Sequence, residues 1–329
     1  MISRPRAPSP ASLPQSPAGR DGGSWRDGAW LRALVTIAVL VLLASRIDLR
    51  ETGAALRRLD LRLATIVLGL VAADRAVMIW RWIILLRARG APITASGAAS
   101  IYLVSSFVGG YTALAGDAAR AYSLSRQTER GSEAVASVAV DRLLGLLSIL
   151  VIALIGVAVA GARMTNNSAT AFVGVAIVLV IGAATVLFAD RWIRVALPGG
   201  WHETRPGGRV LRLADALGAY RGHRSAIVAV SLLSIGVQLL RVLQAYLLGV
   251  AIGITVPFSY YLLFMPAGLI ALMMPISLAG FGAPQGLIVW LLQPRGVPEA
   301  DALALSTLIV LSGIVANLPG GLILVSRVK

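Results

Sequence analysis

Apolar segments of helical length recur almost from end to end of this chain, and few charges interrupt them. The runs span residues 33–44, 61–86, 93–114, 133–160, 169–189, 225–252, 257–292 and 300–325. Of the 329 residues, 57% are hydrophobic and only 14% charged, whereas a soluble domain carries about a quarter charged residues. Charge depletion spread over the whole length predicts many membrane spans rather than one greasy patch. Hydrocarbon offers no partner to a backbone N–H or C=O, so such segments fold as helices. The expected fold class is an all-α polytopic membrane protein.

Residues 1–28 are rich in Pro, Ser, Gly and Arg, a composition that buries no core and predicts a disordered tail. Residues 29–329 then form a single transmembrane domain. The net charge is +15, from 30 Lys and Arg against 15 Asp and Glu. The surplus lies mostly between apolar runs, where it orients spans. No basic stripe with interleaved aromatics occurs, so nucleic acid is not an expected partner. Lys329 is the only lysine and cysteine is absent, which excludes disulfides and thiolate metal sites.

Arginine placement predicts topology. The loop 190–224 carries Arg191, Arg194, Arg205, Arg209, Arg212, Arg221 and Arg224 and is expected in the cytoplasm. The loop 161–168 holds Arg163 alone and is expected outside. Arg87 and Arg89 precede the segment 93–114, while Arg120, Arg126 and Arg130 follow it. Both of its ends are basic, which predicts a re-entrant hairpin from the cytoplasm, broken at Gly109-Gly110 and Gly116-Asp117. The segment 257–292 breaks in the same way at Gly280-Phe281-Gly282 and Pro284-Gln285-Gly286, and predicts a hairpin from outside.

The expectation is therefore about six full spans plus two re-entrant hairpins, arranged as an inverted repeat of residues 61–160 and 225–326. Both termini fall in the cytoplasm of an inner or plasma membrane. Inverted repeats with broken helices are the architecture of secondary transporters, with the site near the midplane. The loop 45–62 runs against this scheme, since it would lie outside yet carries Arg46, Arg50, Arg57, Arg58 and Arg62.

Ionisable residues within spans cost about 2.5–3.5 kcal/mol each on insertion scales and normally face a cavity or a partner. Asp74 and Arg81 lie two helical turns apart on one face. Gln238, Arg241 and Gln244 recur every third residue and share a face. Asp141-Arg142 sit about 13 Å into their span. These residues form either a polar track for an anionic headgroup or pairs that lock helices together. Excess buried cations favour phosphate for Arg81 and Arg241. Gly116-Asp117, with Arg120 and Tyr122 following, reads as a helix start offering free N–H groups to an anion, or with Asp117 as the N-cap. No catalytic triad, metal-spaced cluster or phosphate loop occurs, so no catalytic residue, metal or cofactor is expected.

Five motifs recur in an order that resembles the lysylphosphatidylglycerol synthase transmembrane region family, also called the flippase-like domain family. They are Trp80-Arg81-Trp82 with Leu85-Leu86; Gly116-Asp117 through Arg120-Ala121-Tyr122; Ser137 to Asp141-Arg142-Leu143 with Gly145-Leu146; Pro275 to Gly280-Phe281-Gly282; and Leu318-Pro319-Gly320-Gly321. The resemblance spans about residues 30–326. It implies a helical domain that moves or accommodates a lipid or lipid-linked headgroup, with membrane lipids as partners. Gln285 stands where the family usually carries an acid.

The expected function is a lipid flippase that binds an anionic phosphate headgroup, through Asp74, Arg81, Gly116, Asp117, Arg120, Tyr122, Asp141, Arg142, Gln238, Arg241, Gly280, Gly282 and Gln285. The alternative is a membrane partner of an enzyme that modifies lipids.

Overall fold

The structure is a computed structural model of the chain. It describes residues 57–110, 113–128, 130–161, 190–196, 204–273 and 283–326, with a few single positions between them. The tail 1–28, the first apolar run 33–44, the loop at 162–168, most of the run 169–189, Tyr111 and the glycines Gly280 and Gly282 lie outside the described residues.

Every regular element among the described residues is helical. In chain order these are α1 (Leu61–Ala88), α2 (Ala95–Gly109), α3 (Ala113–Thr128), α4 (Gly131–Gly161), α5 (Arg205–Ala219), α6 (Arg224–Ala251), α7 (Phe258–Met273), α8 (Ala283–Leu292) and α9 (Glu299–Ser326). Four of them, α1, α4, α6 and α9, are long and apolar enough to cross a membrane. The order is long, short, short, long for α1–α4, and the same again for α6–α9.

Local chemistry sets the boundaries. The Asp60 carboxylate caps α1 by accepting from Arg62 N–H at 2.8 Å. Thr94 caps α2 through Gly97 N–H and Thr204 caps α5 through Gly207 N–H, each at 3.1 Å, as short polar side chains do at the start of a helix. At the far end of α1, Gly90 takes φ +60° and turns the chain into α2. A side chain is strained in that conformation.

Packing pairs the two sets of helices. α1 lies against α6, α4 against α7, and α9 against α2. Within each set, α2 packs on α3 and α3 on α4, as α7 packs on α8 and α8 on α9. Two crossings are close because glycine leaves room. A Cβ on Gly156 of α4 would collide with the Leu262 carbonyl of α7, and one on Gly320 of α9 with the Leu103 carbonyl of α2.

The ends of the helices gather on two faces. On one, Asp60 N–H donates to the Ala251 carbonyl at 2.9 Å, Arg58 pairs with Asp301 at 3.4 Å, and the Tyr260 hydroxyl donates to the Leu291 carbonyl at 2.5 Å. That face holds the start of α1, the end of α6, both outer ends of the α7–α8 pair and the start of α9. On the other, Arg89 after α1 pairs with Glu133 of α4 at 3.9 Å and lies 5.9 Å from the Tyr220 ring before α6. Leu124 near the end of α3 packs there with Leu86, Ala91 and Ile93. α5 is amphipathic. Ala216, Leu213 and Leu217 pack on Leu85, Ala136 and Val140, and Arg194 and Asp215 pair at the exposed surface.

Candidate functional site

One cavity of about 410 Å³ is lined by every helix except α5. Its polar wall is built from residues that α1, α3 and α4 carry at mid-helix. Asp74 stands halfway along α1, about 20 Å from either end at 1.5 Å per residue. Five arginines line the cavity (Arg75, Arg81, Arg120, Arg142 and Arg241) against three aspartates (Asp74, Asp117 and Asp141), an excess of two positive charges.

The ion pairs form two groups. In the first, Arg81 Nε donates to Asp141 Oδ1 at 2.8 Å and Arg120 Nη1 to Asp141 Oδ2 at 3.0 Å. Arg120 also donates to Asp117 Oδ1 at 3.2 Å, and Arg142 reaches Asp117 Oδ2 at 3.3 Å. A chain of alternating charge therefore runs from Arg81 to Arg142. In the second, Arg241 Nε donates to Asp74 Oδ1 at 2.9 Å, and Arg75 lies 3.6 Å from Asp74 Oδ2.

The members differ in how far they are spent. Arg81 is buried and donates further to the Ser234 hydroxyl at 2.8 Å and to the Asp141 carbonyl. Arg120 is buried, with the rings of Trp82 and Tyr102 5.3 and 5.1 Å from its guanidinium carbon, close enough for cation–π attraction on both sides. Arg142 keeps 30% of its side chain exposed and Asp117 24%, so this end of the chain opens to the cavity. Arg142 is thus the most exposed cation of the lining, ahead of Arg75 and Arg241, whereas Arg81 and Arg120 are held by their own neighbours.

Gly116 does not start a helix. α3 begins at Ala113, so Asp117 lies inside it and is not its N-cap. Its carboxylate is drawn to Arg120 one turn on and to Arg142 on α4 instead. α2 ends at Gly109, the first of the two expected breaks, and α3 runs unbroken through the second at Gly116-Asp117. Gly116 serves close approach: a Cβ there would sit 2.7 Å from Gly109 Cα and 2.8 Å from the Ser105 carbonyl. That contact brings α2 against α3 and lets both reach the cavity.

The cavity gathers Asp74, Arg81, Gly116, Asp117, Arg120, Asp141, Arg142, Gln238, Arg241 and Gln285. Asp74 and Arg81, expected on one face of α1, both line it but take different partners. Tyr122 does not join them; it is 66% exposed, because two residues on from the cavity-lining Arg120 it lies about 200° around α3. Sequence reasoning put Gln244 on the polar face of Gln238 and Arg241 but left it, Arg75 and Asn317 out of the expected headgroup site. Gln244 was legible from its spacing to Arg241, and Asn317 from a polar side chain just before Pro319-Gly320-Gly321.

A family model described as lysylphosphatidylglycerol synthase TM region matches residues 29–321. The chain belongs to this family. The match covers every helix from α1 to α8 and most of α9, and hence the whole cavity. No curated protein and no solved structure matches the chain. Membership of the lysylphosphatidylglycerol synthase TM region family, together with four spanning-length apolar helices, makes this a membrane domain related to lipid synthesis or flipping.

Proposed function

We propose that the chain binds a lipid or lipid-linked headgroup bearing an anionic phosphate and carries it across an inner or plasma membrane. The observation that supports this most is the excess of two positive charges around a cavity at mid-helix depth. Arginine pairs with phosphate oxygens through two parallel N–H donors, and Arg142 is exposed to the cavity. Each lining carboxylate lies between two arginines. That favours binding over a general-base role.

The arrangement of helices supports alternating access through an inverted repeat. If α1–α4 are matched with α6–α9 in order, each pairing in one set has its counterpart in the other. α4 on α7 corresponds to α9 on α2, and α1 on α6 corresponds to itself. The α2–α3 pair has its ends on one face and the α7–α8 pair on the other, as re-entrant hairpins from opposite sides would. Arginine placement puts α5 and both termini in the cytoplasm. In intact cells, a cysteine at Arg209 would then resist an impermeant maleimide and one at Glu299 would react. The reverse pattern would overturn this orientation.

The functional test is lipid transfer in vesicles. Purified protein is reconstituted with a fluorescent anionic phospholipid, and quenching by an impermeant reductant reports the fraction that changes leaflet. Transfer above protein-free vesicles, lost in Arg142→Gln, is the expected result. A rate equal to protein-free vesicles would overturn transport. Retention of anionic lipid on the purified chain in that case would favour the subunit that presents lipid to a separate transferase.

A further inference from the structure

Outside the cavity, aromatic and basic side chains gather on one layer. It comprises α5 and the helical residues 190–196, which directly follow the apolar run 169–189. Ion pairs tie these residues down: Arg194 with Asp215 of α5, and Asp190 with Arg221 just beyond it. Gly218 of α5 comes so close that a Cβ there would lie 3.1 Å from Asp190 Oδ2. Asp190 and Arg194 are four apart and share the face turned to α5. Trp192 and Val195 lie about 200° and 140° around from Asp190. They form the opposite face and are 61% and 81% exposed.

Charge and depth decide what covers that face. Asp190 and Asp215 are each taken by one arginine. Arg191, Arg209, Arg212 and Arg224 are exposed, and none has an ion pair among the described residues. Arg209 and Arg212, three apart, share a face of α5. The Arg191 guanidinium carbon lies 5.2 Å from the Phe188 ring. The layer sits beside the ends of the spans rather than beyond them. α5 packs on Leu85, about one turn before the end of α1, and on Ala136 and Val140, about one to three turns into α4. At that depth the protein is surrounded by headgroups. A soluble acidic partner would meet the arginines but leave Trp192 and Val195 uncovered. A bilayer interface serves both, since tryptophan rings settle at headgroup level and arginine stems lie along apolar surface with the charge on phosphate.

We infer that this layer is a docking surface for the anionic headgroups of the cytoplasmic leaflet, with Trp192 and Val195 seated in the interface and Arg191, Arg209 and Arg212 on the phosphates. The surface is separate from the cavity, which none of these residues lines. Its cytoplasmic placement comes from the proposed topology, which cysteine labelling at Arg209 tests on its own. Through α5, lipid held there also braces the ends of α1 and α4.

The test reads contact between Trp192 and lipid. The full chain is reconstituted in phosphatidylcholine vesicles doped with phosphatidylserine or phosphatidylcholine, each with brominated acyl chains and at the same fraction. Bromine quenches tryptophan on contact, and subtracting the emission of Trp192→Phe isolates Trp192 from the remaining tryptophans. Both lipids are expected to quench it, the anionic one about threefold more strongly per mole, as a few interfacial arginines enrich anionic lipid. The excess is expected to vanish in about 1 M salt, where charges are screened within about 3 Å. Arg191→Gln with Arg212→Gln is expected to abolish it as well, while quenching by brominated phosphatidylcholine persists. Arg142→Gln, inside the cavity, is expected to leave the excess unchanged.

No quenching by either lipid overturns the inference and leaves the patch to an acidic protein partner. Equal quenching by the two lipids overturns the anionic selection. An excess that survives in the folded double variant overturns the assignment to these arginines. An excess lost in Arg142→Gln traces the enrichment to the cavity and overturns the separate surface.

Discussion

Replacing Asp141 by Asn removes one negative charge from the centre of the cavity wall and keeps the side-chain shape. The carboxylate is 2% exposed and accepts from two guanidiniums, at 2.8 and 3.0 Å. Asn keeps one carbonyl acceptor and turns an NH₂ group toward the other arginine. The change therefore loses one charged hydrogen bond, about 1.5–3 kcal/mol, and leaves a buried cation uncompensated. Breaking a buried pair costs about 3–5 kcal/mol. Ser234 still serves Arg81 and Asp117 still serves Arg120, which places the expected loss at the lower end, about 3 kcal/mol. Against a total stability of about 5–15 kcal/mol, that is a large fraction. Unfolding in mixed micelles, followed by the fluorescence of the seven tryptophans, measures it. Asp215→Asn is the control, because its pair with Arg194 is exposed and exposed pairs contribute at most about 1 kcal/mol. The double variant Arg81→Met with Asp141→Leu replaces the pair by apolar groups and recovers most of the loss. A stability of Asp141→Asn within about 1 kcal/mol of the parent chain would refute the reasoning.

Three further outcomes follow from the geometry. Gly116→Val forces α2 and α3 apart where a Cβ already meets Gly109 at 2.7 Å; overpacking predicts a loss of about 1–3 kcal/mol, measured in the same unfolding assay, with Gly69→Val, which meets nothing within 4 Å, as control. Asp117→Asn frees the exposed Arg142 from its counter-ion and is expected to tighten retention of an anionic lipid several-fold in native mass spectrometry, with a smaller stability loss than Asp141→Asn because a quarter of the carboxylate is exposed. Arg241→Gln removes the charged partner of Asp74 and is expected to raise hydrogen exchange along α1 and α6, with α5 unchanged.

The helical class and most boundaries were legible because hydrocarbon length and charge depletion leave few alternatives. Gly109-Gly110 also marks the end of α2 in plain view. The charged residues of the site were legible one by one, since an ionised group at mid-span asks for a partner. Their pairing was not. Asp74 and Arg81 share a face of α1, and spacing alone suggests that they meet. The fold instead brings α6 and α4 close enough to give each a better-placed partner. Gly116-Asp117 misled for a related reason: the pair reads as a helix start in sequence, but Gly116 is required by the neighbouring helix. Close approach between helices leaves no periodic trace. The aromatic pair around Arg120 was hidden likewise, because Trp82 and Tyr102 lie on different helices and meet only through tertiary packing.

The location of the ion pairs bears on motion. Of the pairs that line the cavity, five join residues within α1–α4: Arg75 with Asp74, Arg81 and Arg120 with Asp141, and Arg120 and Arg142 with Asp117. Arg241 with Asp74 is the one among the described residues that crosses to α6, joined by the hydrogen bond from Arg81 to Ser234. A buried pair is costly to break because each partner is left charged in a low dielectric. If the two helix sets rock about the α1–α6 contact, the charged wall travels as one body, and the one buried ion pair that crosses lies at the pivot itself. Gln238 and Gln244 of α6 and Asn317 of α9, which also line the cavity, add no further ionic tether, since neutral amides exchange partners at lower cost than ions. With Arg241 the one charged lining residue that α6 adds, an anion bound on the proposed reading would meet a charged wall that stays intact as the two sides part.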